Sequence, residues 1–254
     1  MATDSVVDIA LVYPELLGTY GDGGNALVLA RRLERRGIAA RIIEVGITDA
    51  VPRQAAIYLL GGGEDSPQFT ALDALRSTGA LNDAVDNGAV LLAVCAGFQL
   101  IGTSLPHTDG SAVPGLELVD AVTTRAPKRL VGEVGVRDDA LGTGWLVGFE
   151  NHRGVTALAG GEVALGPRQP ARDCATDGVV KGKVVGTYLH GPVLARNPRL
   201  ADRLLEWVVG PLVPLADPQA ELLHEERLAA VSRERGWSRP GFRRRRRTHR
   251  QPQP

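Results

Sequence analysis

The segment Val90–Val94 has the sequence VLLAV and is apolar at every position, whereas a strand with one face in water alternates apolar and polar residues. Further segments that suit strands, with helical patterns between them, lie at 6–13, 40–45 and 56–60, and the helices at 25–36 and 68–85. Buried strands that alternate with helices are typical of parallel sheets covered on both faces. The sequence therefore predicts an α/β fold, a doubly wound and mostly parallel sheet flanked by helices.

After residue 116 the pattern changes to shorter strand-like segments joined by glycine-containing turns. We predict strands at 116–124, 129–136, 145–150 and 178–190, the last as a hairpin around Lys181-Gly182-Lys183, and then helices at 199–209 and 217–235. Residues 239–254 hold seven Arg and no acidic residue, which predicts a disordered tail. We therefore expect one domain over residues 1–238 and an Arg-rich tail over residues 239–254.

The charge and the cysteine count exclude several classes of protein. The 29 basic and 29 acidic residues cancel, but seven of the Arg lie in the tail, so the preceding 238 residues carry a net charge of −7. A basic nucleic-acid-binding protein is not expected from this balance. No apolar run approaches the roughly 20 residues of a membrane span, and no secretory signal is recognised. Two cysteines are too few for a disulfide framework, so we expect a cytoplasmic protein.

A candidate nucleophile follows the most apolar strand. Cys95 comes directly after it, and Ala96 and Gly97 open a helical pattern. Such a strand-to-helix turn pushes a nucleophile out above the sheet, and the helix dipole favours the thiolate. A buried structural cysteine is the alternative, since free Cys is commonly buried. The spacing of Gly97 and Gln99 after Cys95 favours the nucleophile.

A thiolate nucleophile needs a general base and acid, and two of the five histidines are candidates. His190 ends the predicted strand at 184–189 and precedes Gly191-Pro192, and catalytic groups gather at strand ends of open α/β sheets. His152, within the segment ENHRG, is the alternative base.

Two glycine-rich loops remain. The amides of Gly61-Gly62-Gly63 can converge on a developing oxyanion, whereas a phosphate-binding loop would require a Gly-Lys-Ser/Thr sequence that is missing here. The segment 18–25 is also rich in glycine, but it lacks the GxGxxG pattern of a dinucleotide site.

Five segments between residues 8 and 205 resemble class I (triad) glutamine amidotransferases of the cobyric acid synthase-like branch. They are YPELLGTYGDGGN, LLGGGEDSPQ, AVCAGFQLIG, GFENHRG and TYLHGPVLARNP. The first and fourth are most similar to the amidotransferase subunits of lipid II isoglutaminyl synthases.

The resemblance implies a catalytic pair, in which Cys95 attacks the side-chain amide of glutamine and His190 transfers the proton that releases ammonia. It also implies that the Gly61–Gly63 amides and the amide after Cys95 hold the oxyanion, and that Arg129 grips the α-carboxylate of glutamine. The remaining residues that the resemblance places at the substrate are Gly62, Gly63, Gln99, Asn151 and His152.

The sequence departs from the broad family after its catalytic histidine. Many relatives continue with Pro and a Glu that orients the imidazole, whereas His190 is followed by Gly191, Pro192 and Val193. The resemblance to the lipid II branch implies that a partner supplies the orienting carboxylate and that the chain alone is a weak glutaminase. Glu150 is the internal alternative.

The resulting hypothesis is a glutaminase subunit without a metal or cofactor of its own. Its partner in a heterodimer would be a Mur ligase-like synthetase that binds ATP and Mg²⁺ and amidates the D-glutamate of lipid II. The Arg-rich tail would then contact anionic lipid near the membrane, or serve only to solubilise the chain. The alternatives are a corrinoid amidation subunit, a cysteine peptidase-type hydrolase and a non-catalytic binding protein on the same fold.

We predict that Cys95→Ser abolishes glutamine hydrolysis without unfolding the protein, because an alcohol is a far poorer nucleophile than a thiolate near neutral pH. The matched control is Cys174→Ser, which lies in no motif and should leave the rate nearly unchanged. Ammonia release from glutamine measures both variants, and a near-normal rate in Cys95→Ser would remove Cys95 from its predicted role.

Overall fold

The computed structural model describes residues 6–170 and 175–234. The predicted tail at 239–254 and Cys174 lie outside these residues. The strands are β1 Val7–Val12, β2 Ala40–Val45, β3 Ile57–Leu60, β4 Val90–Val94, β5 Ser104–Pro106, β6 Ala112–Pro114, β7 Ala121–Asp138, β8 Gly144–Leu158, β9 Gly166–Gln169, β10 Thr176–Asp177, β11 Val179–Lys181 and β12 Val184–Thr187. The helices are α1 Pro14–Leu17, α2 Gly24–Glu34, α3 Asp65–Thr78, α4 Ala80–Asp86, α5 Ala96–Leu100, α6 Val193–Arg196, α7 Pro198–Val209 and α8 Pro218–Glu234.

The first sheet has the strand order β11-β12-β4-β3-β1-β2. All of its pairings are parallel except that of the hairpin β11–β12. Every residue of β3, β4 and β12 is buried, as expected for strands with both faces covered. The predicted α/β fold is confirmed, and each of β1 to β4 agrees with its predicted bounds to within one residue.

A second sheet, which we did not predict from the sequence, is built on a long antiparallel hairpin. Strands β7 and β8 pair with each other along most of their length, with an irregularity between Arg125 and Leu130. Short strands add to β7 in the order β10-β9-β7-β5-β6. The sequence predicted separate short strands here because Pro127 and several glycines interrupt the alternating pattern, whereas in the structure pairing with the other arm of the hairpin continues each strand past these residues.

The two sheets meet beside His190. Phe149 of β8 forms an isolated bridge with His190, in which each backbone N–H donates to the other residue's carbonyl at 3.0 and 2.9 Å. The buried side chain of Asn197 connects β8 with α6. It accepts from Val147 N–H at 2.8 Å and donates to the carbonyls of Val147 and Val193 at 2.8 and 2.7 Å. These bonds place the backbone around residue 190 between both sheets.

Within residues 6–170 and 175–234, the structure contains no helix with the length and apolarity that a membrane crossing requires.

We predict that Asn197→Ala destabilises the protein by about 2–4 kcal/mol, because it removes three hydrogen bonds and leaves buried backbone groups without partners. The control Asn87→Ala removes one exposed bond, to the Asp83 carbonyl, and should change the free energy of unfolding by less than about 0.5 kcal/mol. Urea unfolding measures both, and equal effects would show that Asn197 does not join the sheets energetically.

Candidate active site

Cys95 occupies the strained turn that the sequence predicted. It follows β4 and precedes α5, it is 4% exposed, and its φ and ψ are 53° and −104°. A positive φ at a non-glycine residue costs on the order of 1–3 kcal/mol and is common at functional sites. A Cβ on Gly97 would lie 2.7 Å from Leu60 Cβ, so only glycine fits the start of α5. The sequence around Cys95 thus forces the thiol to the carboxyl-terminal edge of the sheet.

His190 lies at the same edge, because β12 runs parallel beside β4. The ring is buried, and the ring of Tyr20 packs against it with 4.5 Å between centroids. Burial lowers the pKa of His190, but the hydrogen-bonded Asp22 and the nearby Cys95 outweigh burial and raise the pKa to about 10. The sequence prediction that Cys95 and His190 come together therefore agrees with this geometry.

The sequence analysis did not identify Asp22, whose carboxylate accepts a hydrogen bond from Nδ1 of His190. The Nδ1–Oδ2 distance is 3.0 Å, although the two residues are 168 positions apart. The available signal was the position of Asp22: an acidic residue in the glycine-rich segment 18–25, which follows the end of β1 at the sheet edge where active-site groups gather.

In the loop after β3, the Gly62 amide differs from the oxyanion donor that the resemblance implied. The Gly62 amide donates to Asp22 Oδ2 at 2.8 Å, so it is not free to hold an oxyanion as the resemblance implied. Gly63 lines the cavity beside Cys95. The Gly61 carbonyl accepts from Gly97 N–H at 3.1 Å, which ties the loop to the turn at Cys95. This leaves the Gly63 amide, with the first amide of α5, as the oxyanion donors that the geometry favours.

A cavity of about 440 Å³ opens over Cys95, within the usual size range of small-molecule sites. The predicted substrate residues that line it are Gly63, Gln99, Arg129, Asn151 and His152. Among the residues that the structure describes, no group of three or more His, Cys, Asp or Glu side chains is arranged to hold a metal ion.

Arg129 lines this cavity, and two side-chain hydrogen bonds hold its guanidinium. Its Nε donates to Asn151 Oδ1 at 2.5 Å, and its Nη2 donates to the hydroxyl of Tyr20 at 3.0 Å. A guanidinium oriented in this way is suited to a bidentate contact with a carboxylate.

His152, the alternative base, belongs to a different cluster. Its ring stacks on Tyr188 at 3.9 Å between centroids, and its Nδ1 lies 2.8 Å from the Gly154 carbonyl. Its Nε2 lies 3.3 Å from Glu150, which also pairs with the buried Arg168. Glu150, the internal alternative for the orienting carboxylate, is therefore committed to His152 and Arg168, while Asp22 contacts His190.

We predict that Gly62→Ala lowers kcat/KM for glutamine hydrolysis roughly 10- to 100-fold, since an ångström-scale misplacement of a catalytic group costs about that much. The added Cβ would lie 2.6 Å from His190 Cε1, and the ring cannot move away without losing Asp22. The control Gly135→Ala places its Cβ 3.3 Å from Val231 Cγ1, far from the site, and should retain activity. An active Gly62→Ala variant would show that the contact is not tight.

Comparison with known proteins agrees with this geometry. Residues 8–198 match the CobB/CobQ-like glutamine amidotransferase domain family. The lipid II isoglutaminyl synthase (glutamine-hydrolyzing) subunit GatD of Staphylococcus aureus (strain N315) is 33% identical over 195 residues, which are 75% of this chain and 79% of that protein. A protein of Methanopyrus kandleri named as a probable cobyric acid synthase is 34% identical over 186 residues, 67% of this chain and 37% of that protein.

A crystal structure of a glutamine amidotransferase has the same fold, with a TM-score of 0.54 at 22% identity over 80% of this chain and 99% of that chain. The family match includes Cys95, His190 and the Gly61–Gly63 loop. The protein is therefore a member of the CobB/CobQ-like glutamine amidotransferase domain family.

Proposed function

We propose that the protein is a glutaminase subunit that converts L-glutamine and water to L-glutamate and ammonia. The Cys95 thiolate would attack the side-chain amide carbon, and His190 would protonate the departing nitrogen, which leaves as ammonia. Water would then attack the thioester while His190 takes its proton, and glutamate would leave as the thiol reforms. The observation that carries this proposal is that Cys95, in its strained turn beneath the cavity, and the buried His190 follow the ends of the paired parallel strands β4 and β12.

The cavity walls suit glutamine. Arg129 and Cys95 line the same cavity, so the guanidinium would bind the α-carboxylate while the side-chain amide reaches Cys95. The Gly63 and Ala96 amides would stabilise the oxyanion of each tetrahedral intermediate. Removal of one such donor in other enzymes costs about 2.7–4 kcal/mol of transition-state stabilisation.

The acceptor of the ammonia is proposed from the relatives. The Staphylococcus aureus protein is named as a subunit of a lipid II isoglutaminyl synthase, and the match covers 79% of it. We therefore propose that a Mur ligase-like partner, with ATP and Mg²⁺, uses the ammonia to amidate the α-carboxyl of D-glutamate in lipid II. The two subunits would form a heterodimer.

A corrinoid acceptor is the second candidate, because cobyric acid synthases are also similar in sequence. The match covers only 37% of the Methanopyrus kandleri protein, so most of that enzyme has no counterpart in this chain. A non-catalytic role on the same fold is less consistent with the paired Cys95 and His190.

The test is transfer of ¹⁵N from amide-labelled glutamine to lipid II, measured by mass spectrometry with the chain and a co-expressed Mur ligase-like subunit. We predict labelled D-isoglutamine with the wild-type chain and none with Cys95→Ser, while free ammonium restores the product in the mutant. Labelling of a corrinoid and not of lipid II would favour the second candidate.

In the same assay, Arg129→Ala should lower kcat/KM for glutamine roughly 10- to 150-fold, mainly by raising KM, because a lost charged contact costs about 1.5–3 kcal/mol. The matched control is Arg153→Ala at the same cavity, whose Nη2 donates to the Pro127 carbonyl. A larger effect of Arg153→Ala would assign the α-carboxylate to Arg153 instead.

A further inference from the structure

We propose that Asp22 is the positioning residue of this site, and that it orients His190 and holds the Gly61–Gly63 loop through one carboxylate oxygen. The carboxylate that relatives place after the catalytic histidine would then come from the N-terminal loop of this chain and not from a partner. This inference rests on the proposed glutaminase function.

The geometry at Asp22 brings two donors to one oxygen. Oδ2 accepts from His190 Nδ1–H at 3.0 Å and from Gly62 N–H at 2.8 Å. The side chains of Asp22 and His190 are 1% and 3% exposed, so water does not compete for these bonds. An ionised carboxylate at such burial is stable only where charge-assisted hydrogen bonds compensate its desolvation, and these two donors provide them.

The orientation has a direct chemical consequence. With Nδ1–H directed at Asp22, Nε2 on the other side of the ring has no hydrogen-bond partner among the described residues and is left to exchange a proton with Cys95. Among the described residues, the titratable side chains that contact the ring are Cys95, Tyr20 and Asp22. Asp22 is the carboxylate of this set, and it faces a histidine whose pKa is raised, so it stabilises the imidazolium that forms when the thiolate forms.

The second bond extends the effect of Asp22 to the oxyanion donors. The N–H of Gly62 donates to Asp22, and the carbonyl of Gly62 accepts from Thr19 N–H at 3.2 Å. The neighbouring Gly61 carbonyl binds Gly97 N–H, and Gly63 faces the cavity. A change at Asp22 would therefore disturb the proton-transfer group and the oxyanion donor together.

The loop that carries Asp22 also reaches the substrate side of the cavity. The Tyr20 ring covers His190, while its hydroxyl contacts Arg129 and donates to Glu64 at 3.3 Å. Through these contacts the loop connects the residue proposed to bind glutamine with the residue proposed to position the base. Glu64 and Glu150 are engaged with Tyr20 and Arg168 respectively, so neither takes the position of Asp22.

The experiment compares Asp22→Asn with Asp138→Asn in the full chain carrying Cys174→Ser. Asp138 is a matched control, since its buried carboxylate also accepts backbone N–H groups, from Ala140, Leu141 and Thr143, but outside the site. We expect Asp22→Asn to lower kcat for glutamine hydrolysis roughly 10- to 1000-fold, less than the effect known for a serine nucleophile. KM for glutamine should change less than about threefold, because the hydrogen bonds of Arg129 go to Asn151 and Tyr20 and not to Asp22.

The pH profile separates positioning from a merely structural role. Activity should fall at high pH as the imidazolium loses its proton, so a lower pKa of His190 in Asp22→Asn should move the alkaline limb of kcat/KM to lower pH. The rate of Cys95 alkylation by iodoacetamide should lose its neutral-pH thiolate component in parallel. Asp138→Asn should lower the melting temperature without moving either profile.

A measurement on the wild-type chain needs no variant. The ¹⁵N resonances of the His190 ring should show Nδ1 protonated throughout the range from pH 6 to pH 9. A His190 that titrates near pH 6.5, or an Asp22→Asn chain that keeps its kcat and pH profile, would overturn the inference. Suppose that Asp22→Asn changes the alkylation rate of Cys95 and the His190 ring resonances while the wild-type chain hydrolyses no glutamine, with or without a ligase subunit. In that case the proposed function fails and the positioning role stands.

Discussion

The parallel pairing of β4 with β12 is the constraint on which the site depends. Val94 lies opposite Thr187, and the Cys95 N–H donates to the Thr187 carbonyl at 2.8 Å. Because parallel strands end at the same edge, this register delivers Cys95 and His190 together. The bridge between Phe149 and His190 then joins the second sheet to that edge, so the long β7–β8 hairpin can supply Arg129 and Asn151 to the cavity.

Two buried polar clusters flank this edge, and neither is explained by stability alone. One joins Asp22 with His190, and the other joins Glu150 with Arg168 and His152. Burying charged groups costs free energy that their mutual attraction offsets only with good geometry, so apolar side chains would serve the core better. The proposed role of the first cluster is to orient His190, whereas the second supports the cavity wall through the stacking of His152 on Tyr188.

Local sequence patterns were sufficient where the physical cause is local. The apolar segment 90–94, the turn at Cys95-Ala96-Gly97 and the hairpin around Gly182 each result from neighbouring residues, and the structure has all three. The patterns were insufficient for β7 and β8, since Pro127 and the glycines interrupt the alternation of two strands whose length comes from pairing with each other in the hairpin. The same holds for the Gly62 amide, whose acceptor is 40 residues away.

The sequence by itself determined the α/β class and pointed to Cys95 and His190 as the candidate catalytic pair, because strand burial and strained turns depend on residue type and immediate spacing. Only the tertiary structure decided which carboxylate meets His190. The residues around a charged side chain in a glycine-rich loop do not indicate its partner. Asp22 contacts His190, 168 residues away, because β1, β3, β4 and β12 end at one edge of one sheet. Side-chain hydrogen bonds between distant segments depend on how the strands are ordered, and that order is set by the packing of the whole chain.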